Sequence, residues 1–177
     1  MTAVKFRPGG FAALTGVLPG RDTVVPLGRQ LTLSAPDLLA AVLAEEDDES
    51  RAAVLDAALA PTAPEPPGPY LDLLGLVTAM IEDRELVRVD QVAALGAMSV
   101  RSLQRLFATY VGVSPKAVLA RYRLQDAAAS IDAGEVDDLA GLAASLGWFD
   151  QAHFSREFRS VVGMTPSAYL QRAREGR

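Results

Sequence analysis

Arg101, Ser102, Gln104 and Arg105 are interleaved with Leu103, Leu106 and Phe107, and Gln151, Ala152, His153, Ser155 and Arg156 are grouped around Phe154 and Phe158. If each stretch is a helix with its apolar residues turned inward, the interleaved residues face outward near the helix start. Their chemistry is that of flat, edge-on recognition. An arginine fork spans O6 and N7 of guanine, a glutamine amide spans N6 and N7 of adenine, and a good bidentate contact discriminates by about 1–3 kcal/mol. No comparable set exists for catalysis or metal binding. The chain has no cysteine and a single histidine, His153, which rules out a thiolate metal site and leaves a histidine cluster or triad without partners. Its carboxylates are scattered, with no pair set apart as acid and base, so neither an enzyme, a metal nor a cofactor is expected.

The elements that must hold these residues come as a repeat. The stretch Asp138 to Arg174 aligns without a gap on one 51 positions earlier, placing Leu146-Gly147 on Leu95-Gly96, Phe158 on Phe107, Val162-Gly163 on Val111-Gly112 and Thr165-Pro166 on Ser114-Pro115. Each copy predicts helix, tight turn, second helix, then a capped third. In the first copy Asp90 is the expected N-cap, Val92, Ala93 and Leu95 point one way, and Gly96 is the stop. Ser99 caps the next helix, whose buried stripe is Leu103, Leu106, Phe107 and Tyr110, and Gly112 ends it. Ser114-Pro115 opens a helix that runs without a breaker to about Asp132, long enough to join the copies, and Gly134 closes it. In the second copy Asp138 and Asp150 are the caps, Gly147 and Gly163 the stops, and Thr165-Pro166 opens the last helix. A short helix, a turn and a second helix is a way to lay one helix in the DNA major groove, about 12 Å wide.

Charge supports this locally. The net charge is −5, but residues 1–89 carry 7 basic against 13 acidic side chains and residues 90–177 carry 10 against 9. Ser99 to Gln125 holds Arg101, Arg105, Lys116, Arg121 and Arg123 with no acid, a field suited to a polyanion. No run reaches the roughly 20 apolar residues of a membrane helix, and the N-terminus lacks a secretory apolar core, so no membrane association is expected and the cytoplasm is the expected location.

Ahead of the repeat, Val4 to Gly10 begins like a short strand, and Gly16, Pro19, Gly20, Pro26 and Gly28 permit only short helical turns and loops up to Leu33. Ser34-Ala35-Pro36-Asp37 predicts a helix start, the acidic run Glu45 to Glu49 a solvated loop, and Ser50 to Leu59 a second helix with Val54, Leu55, Ala58 and Leu59 on one side. Five prolines between Pro61 and Pro69 exclude helix and central strand and mark a linker. After it, Tyr70 to about Leu86 is a helix with a face of Leu73, Leu74, Val77, Met80 and Ile81. The expected fold is mainly α: two helix-turn-helix subdomains (about 90–112 and 138–163) joined by a long helix (about 115–132). They form a domain over 70–177 behind a small, mostly helical region (1–60) with at most a short strand and a linker at 61–69.

Residues 70–174 resemble the C-terminal DNA-binding domain of the AraC/XylS family of bacterial transcription regulators. Gly147 to Arg172 is the most specific part, matching the family's pattern of Gly, aromatic, Phe-Ser-Arg-x-Phe, Gly and Thr-Pro-x-x-Tyr. The resemblance implies two recognition helices in successive major-groove segments of double-stranded DNA. It places base-facing positions at Arg101, Gln104 and Arg105 in the first unit and Gln151, Ala152, Ser155 and Arg156 in the second. Backbone contacts are expected from Ser102, Lys116, Arg121, His153 and Arg159, and Trp148 is expected to pack the turn. Family members carry a sensing or dimerising domain ahead of this one. About 60 residues are too few for its β-barrel, which implies a truncated or shortened member, a homodimer through the N-terminal region, RNA polymerase as a further partner, and no assignable effector. The other function class open to the sequence is a protein-interaction or co-regulator module that keeps the fold without strong DNA affinity.

Overall fold

A computed structural model describes residues 3–18, 20, 24, 31 and 33–176; Pro19, Pro26 and Gly28 lie outside the described residues. The chain divides into two compact units, one of residues 1–74 with 105–112, the other of 75–104 with 113–177. No strand occurs among the described residues, and residues 3–7 are irregular. Among the described residues no second strand stands ready to complete a ladder with the strand-like start.

In the first unit, α1 (Gly10–Thr15) is bracketed by Gly9 and Gly16, both left-handed. A Cβ on Gly9 would stand 2.9 Å from Leu73 Cδ2 and 3.0 Å from Tyr110 Cβ, so backbone angle and space both demand glycine there. Helix α2 (Ala35–Ala44) has Ser34 at its N-cap and proline in its first turn, as expected. Helix α3 (Asp48–Leu59) starts two residues earlier than the apolar pattern suggests, because Asp47, at the end of the acidic run, accepts from the Ser50 N–H at 2.8 Å. Val54, Leu55, Ala58 and Leu59 share its half-buried side. The proline segment is not wholly irregular: Ala60–Thr62 forms a 3₁₀ turn, and α4 (Gly68–Glu82) takes Pro69 into its first turn, where a missing N–H costs nothing. Tyr70 packs on Tyr110 with ring centroids 5.7 Å apart.

In the second unit, the rest of α4 buries Leu76, Val77 and Met80, while Ile81, expected on that face, is 48% exposed. Ile81 lies about 100° round the helix from Met80, and Leu76 takes its place on the inner stripe. Helix α5 (Val89–Leu95) begins one residue before the predicted cap. Gln91 organises the start: its Oε1 accepts from the Arg88 and Val87 N–H groups at 2.8 and 3.1 Å, and its amide donates to the Glu85 carbonyl at 3.1 Å. Asp90 is therefore a first-turn residue paired with Arg88 at 3.2 Å, which holds its carboxyl below the usual range. Helix α6 (Val100–Tyr110) follows and passes from this unit into the first, and α7 (Pro115–Ala133) is the long connecting helix. The second copy is α8 (Leu139–Ser145), α9 (Gln151–Val162) and α10 (Pro166–Glu175).

Two features anchor α7. Leu124, Ala127 and Ile131 join a core with Ala143, Leu146, Trp148, Phe154 and Phe158. Arg123, counted from sequence with the surface cations, is instead only 1% exposed. It donates to the Met80 carbonyl on α4 and lies 3.0 Å from Asp126, which also faces Arg84 at 3.8 Å. Arg123 therefore contributes packing rather than surface potential. At the far end of α7, Asp132 accepts from the Tyr169 hydroxyl at 2.8 Å, tying α10 to it.

Candidate nucleic-acid interface

Each recognition-type helix is aimed by the turn before it, and the two turns differ. In the first copy Ala97 is left-handed (φ 48°) and the Met98 N–H reaches back to the Ala93 carbonyl at 3.0 Å. In the second, Gly147 is left-handed (φ 89°) and the Trp148 N–H reaches the Ala143 carbonyl at 2.9 Å. These turns superpose with an offset of 50, whereas Phe107 and Phe158, Gly112 and Gly163, and Ser114 and Thr165 keep an offset of 51. The gapless alignment is thus corrected. The structural partner of Gly147 is Ala97 rather than Gly96, and the second turn holds one more residue, Phe149, which is fully exposed. The same shift explains why Leu95 is 57% exposed: it matches the polar Ser145, while Leu146 is buried.

The turns end in side-chain caps. Ser99 Oγ accepts from the Ser102 N–H at 3.1 Å, and Asp150 accepts from the Ala152 N–H at 2.8 Å. Below the outer faces lie the supports. Leu103 and Phe107 are fully buried on α6, with Leu106 and Tyr110 half-buried beside them. On α9 a row of rings runs Trp148, Phe154, Phe158, Tyr169 at centroid spacings of 5.4, 5.6 and 5.6 Å.

Above these supports, Arg101, Gln104 and Arg105 are exposed on α6, and Gln151, Ala152 and Arg156 on α9, with Ser155 half-buried among them. The side chains of Arg101, Gln104, Arg105, Gln151 and Arg156 make no hydrogen bond or ion pair among the described residues. Arg156 does not use the acids beside it: Asp150 is occupied as a cap, and Glu157 is held by other partners. Ser102 is half-buried and exchanges a 3.0 Å contact with the Ser99 hydroxyl, so it is part of the cap. Lys116, Arg121 and Arg159 are exposed.

A network invisible in the spacing argument sits at the base of α9. Trp148 Nε1 donates to Glu157 Oε2 at 2.8 Å, and His153 Nε2 lies 3.1 Å from Glu157 Oε1. Glu157 thereby locks the turn tryptophan to the recognition-type helix, with His153 leaning on it rather than standing free. The pairing of His153 with Glu157, four residues on, was the signal available in the sequence. No group of residues suited to a metal ion occurs among the described residues, and none of their helices is long and apolar enough to cross a membrane.

Comparison with known proteins places this geometry. Residues 92–172, the span from α5 to α10, match the family model described as a helix-turn-helix domain. A probable AraC family transcriptional regulator from Rhodopseudomonas palustris superposes with a TM-score of 0.51 at 28% identity, covering 58% of this chain and 97% of that one. Residues 92–172 are thus a helix-turn-helix domain similar to that of an AraC family regulator. Among the chain's relatives, an uncharacterized HTH-type transcriptional regulator from Haemophilus influenzae is 33% identical over 81 residues, covering 46% of this chain and 27% of that protein. The RCS-specific HTH-type transcriptional activator RclR of Escherichia coli is 33% identical over 87 residues, covering 49% and 30%. The XylDLEGF operon transcriptional activator 3 of Pseudomonas putida is 30% identical over 100 residues, covering 54% and 30%. The chain thus spans less than a third of the length of these relatives.

Proposed function

We propose that the chain is a sequence-specific, double-stranded DNA-binding transcription regulator that lays α6 and α9 in successive major-groove segments about one helical turn, roughly 34 Å, apart. The observation that carries this reading is the repeated exposure of unengaged Arg and Gln side chains at the start of both helices, above rigid apolar supports, within the family's domain. In this reading Arg101, Gln104, Arg105, Gln151, Ala152, Ser155 and Arg156 face bases. Lys116, Arg121 and Arg159 hold phosphates, with Ser102 and His153 at the same backbone. Electrophoretic mobility shifts with a selected site and a random duplex test it: Arg105→Ala and Arg156→Ala should weaken the selected complex far more than the random one. Equal loss on both makes the residue a phosphate contact only, and no complex at low salt favours the co-regulator alternative, which the acidic N-terminal half supports.

The N-terminal region is assigned to homodimerisation, with the domain boundary at 61–69. Its support is an apolar groove of about 440 Å³ lined by residues such as Phe6, Leu38, Leu55 and Leu59, beside Leu39 and Leu43, one turn apart on α2 and 60% and 72% exposed. Sedimentation should find a dimer that Leu39→Lys with Leu43→Lys converts to monomer. Action in the cytoplasm and contact with RNA polymerase follow from the proposed role.

A further inference from the structure

Within the second unit a cavity of about 340 Å³ opens between α7, the turn before α9 and the residues leading into α5. Its wall is largely apolar, built from Leu119, Ala120, Leu146 and Trp148, yet three cations line it, Arg88, Lys116 and Arg123; Arg88 is paired with Asp90, and the two carboxylates of the lining are engaged, Asp150 as a helix cap and Glu157 by Trp148 and His153. Lys116 is exposed and its ammonium is engaged by no acid among the described residues. Arg123 is the more telling. Its Nη1 is paired with Asp126 Oδ2 at 3.0 Å and its Nη2 donates to the Met80 carbonyl, but its Nε has no hydrogen-bond acceptor among the described residues, in a side chain 1% exposed. A buried donor without an acceptor is costly and calls for a partner.

We propose that this cavity binds a small amphipathic carboxylate, its apolar body against Leu119, Ala120, Leu146 and the Trp148 ring, its carboxylate between Lys116 and Arg123. Size sets the ligand class. An apolar cavity of about 150 Å³ holds benzene, so this one takes a monocarboxylate of roughly ten non-hydrogen atoms. Inorganic phosphate would meet the cations but leave the apolar wall unfilled, and a neutral alcohol of the same length does the reverse. The site lies wholly in the second unit, and because Lys116 is also a proposed phosphate contact, ligand and DNA compete for its ammonium. Because Glu157 holds Trp148 and lies on α9, the ligand touches the support of that helix directly.

The chain's single tryptophan lies in the wall, which supplies a built-in reporter. Octanoate, 1-octanol and inorganic phosphate are titrated into the full chain without DNA while the Trp148 indole N–H resonance and fluorescence are followed. Octanoate is expected to saturate both signals, with 1-octanol about tenfold weaker and phosphate without effect. Lys116→Ala, at an exposed position, should bring octanoate down to the 1-octanol level while leaving 1-octanol unchanged. Ala120→Leu, which fills the cavity with an apolar group, should abolish both responses while its circular dichroism melt stays cooperative. No octanoate response at millimolar concentration, equal affinity for octanoate and 1-octanol, or undiminished binding in folded Ala120→Leu overturns the proposal.

Discussion

Asp126→Ala tests the internal electrostatics of the second unit. Arg123 is 1% exposed and Asp126 18%, so the mutation leaves a buried guanidinium with the Met80 carbonyl as its principal partner. Removing one member of a fully buried pair costs about 3–5 kcal/mol, because the remaining charge is left uncompensated. The residual exposure of Asp126, and Arg84 standing 3.8 Å away to be freed, reduce this to about 2–4 kcal/mol. For a chain of this length that corresponds to a fall in Tm of roughly 5–15 °C, read by circular dichroism or calorimetry. Arg123→Met, which removes the charge along with the need for its partner, should cost less, about 1–2 kcal/mol for the orphaned carbonyl. Asp137→Ala, which breaks the exposed Arg174 pair, should leave Tm unchanged. The same variants separate structure from binding: a buried Arg123 reaches no phosphate, so Arg123→Met should leave the salt dependence of DNA binding as it is. Parental stability in Asp126→Ala together with a shallower salt dependence in Arg123→Met would refute the reasoning.

Further outcomes follow from other elements. Arg105→Ala and Arg156→Ala should each cost about 1–3 kcal/mol of discrimination at one position of the selected site, measured by competition with single-base variants. Arg121→Ala and Arg159→Ala should weaken all duplexes alike and lower the slope of log K against log salt by about 1 each. Ala97→Gly relieves a left-handed alanine and should stabilise by up to about 1 kcal/mol, whereas Gly134→Ala (φ 78°) should destabilise by about the same amount, both measured by denaturant midpoint. The hydrogen bond to Asp132, with partial burial, raises the Tyr169 hydroxyl above the ordinary tyrosine value. The neutral phenol is thus favoured on folding. Its contribution is whole below about pH 10 and is lost as pH rises through the higher folded value, so melts between pH 9 and 11 should fall more steeply for the parent than for Tyr169→Phe.

Much of this was legible before any coordinates, and the exceptions share a cause. Helix starts at Ser99, Ser114, Asp138, Asp150 and Thr165 are written in local chemistry, where a short side chain meets N–H groups two or three residues on, and the start at Ser34 in the proline of its first turn. The burial of Phe154 and Phe158, and the outward set beside them, follow from periodicity alone. Leu95 failed because a two-turn helix under-determines its inner face, and Ile81 because it sits at the C-terminal end of α4, off the stripe of Leu73, Leu76, Val77 and Met80; type alone makes every leucine or isoleucine look buried. Arg123 failed more instructively. Its only acid lies three residues on, past Gln125, and its second partner is a backbone carbonyl 43 residues away, which no local pattern reports. The extra residue at Phe149 was concealed because Gly96 and Gly147 look alike, although it is Ala97 that takes the left-handed turn in the first copy. Glu157 serving both Trp148 and His153 is likewise a tertiary fact, half visible in the spacing of His153 and Glu157.

The central claim, that two helices read two adjacent groove segments, is tested most directly by selecting binding sites from a random duplex pool with the full chain at low salt. The account predicts enrichment of one site with two conserved blocks centred about 10–10.5 base pairs apart, and separate loss of one block in Arg105→Ala and of the other in Arg156→Ala. A pool that stays random, or a single block lost equally in both variants, would contradict it.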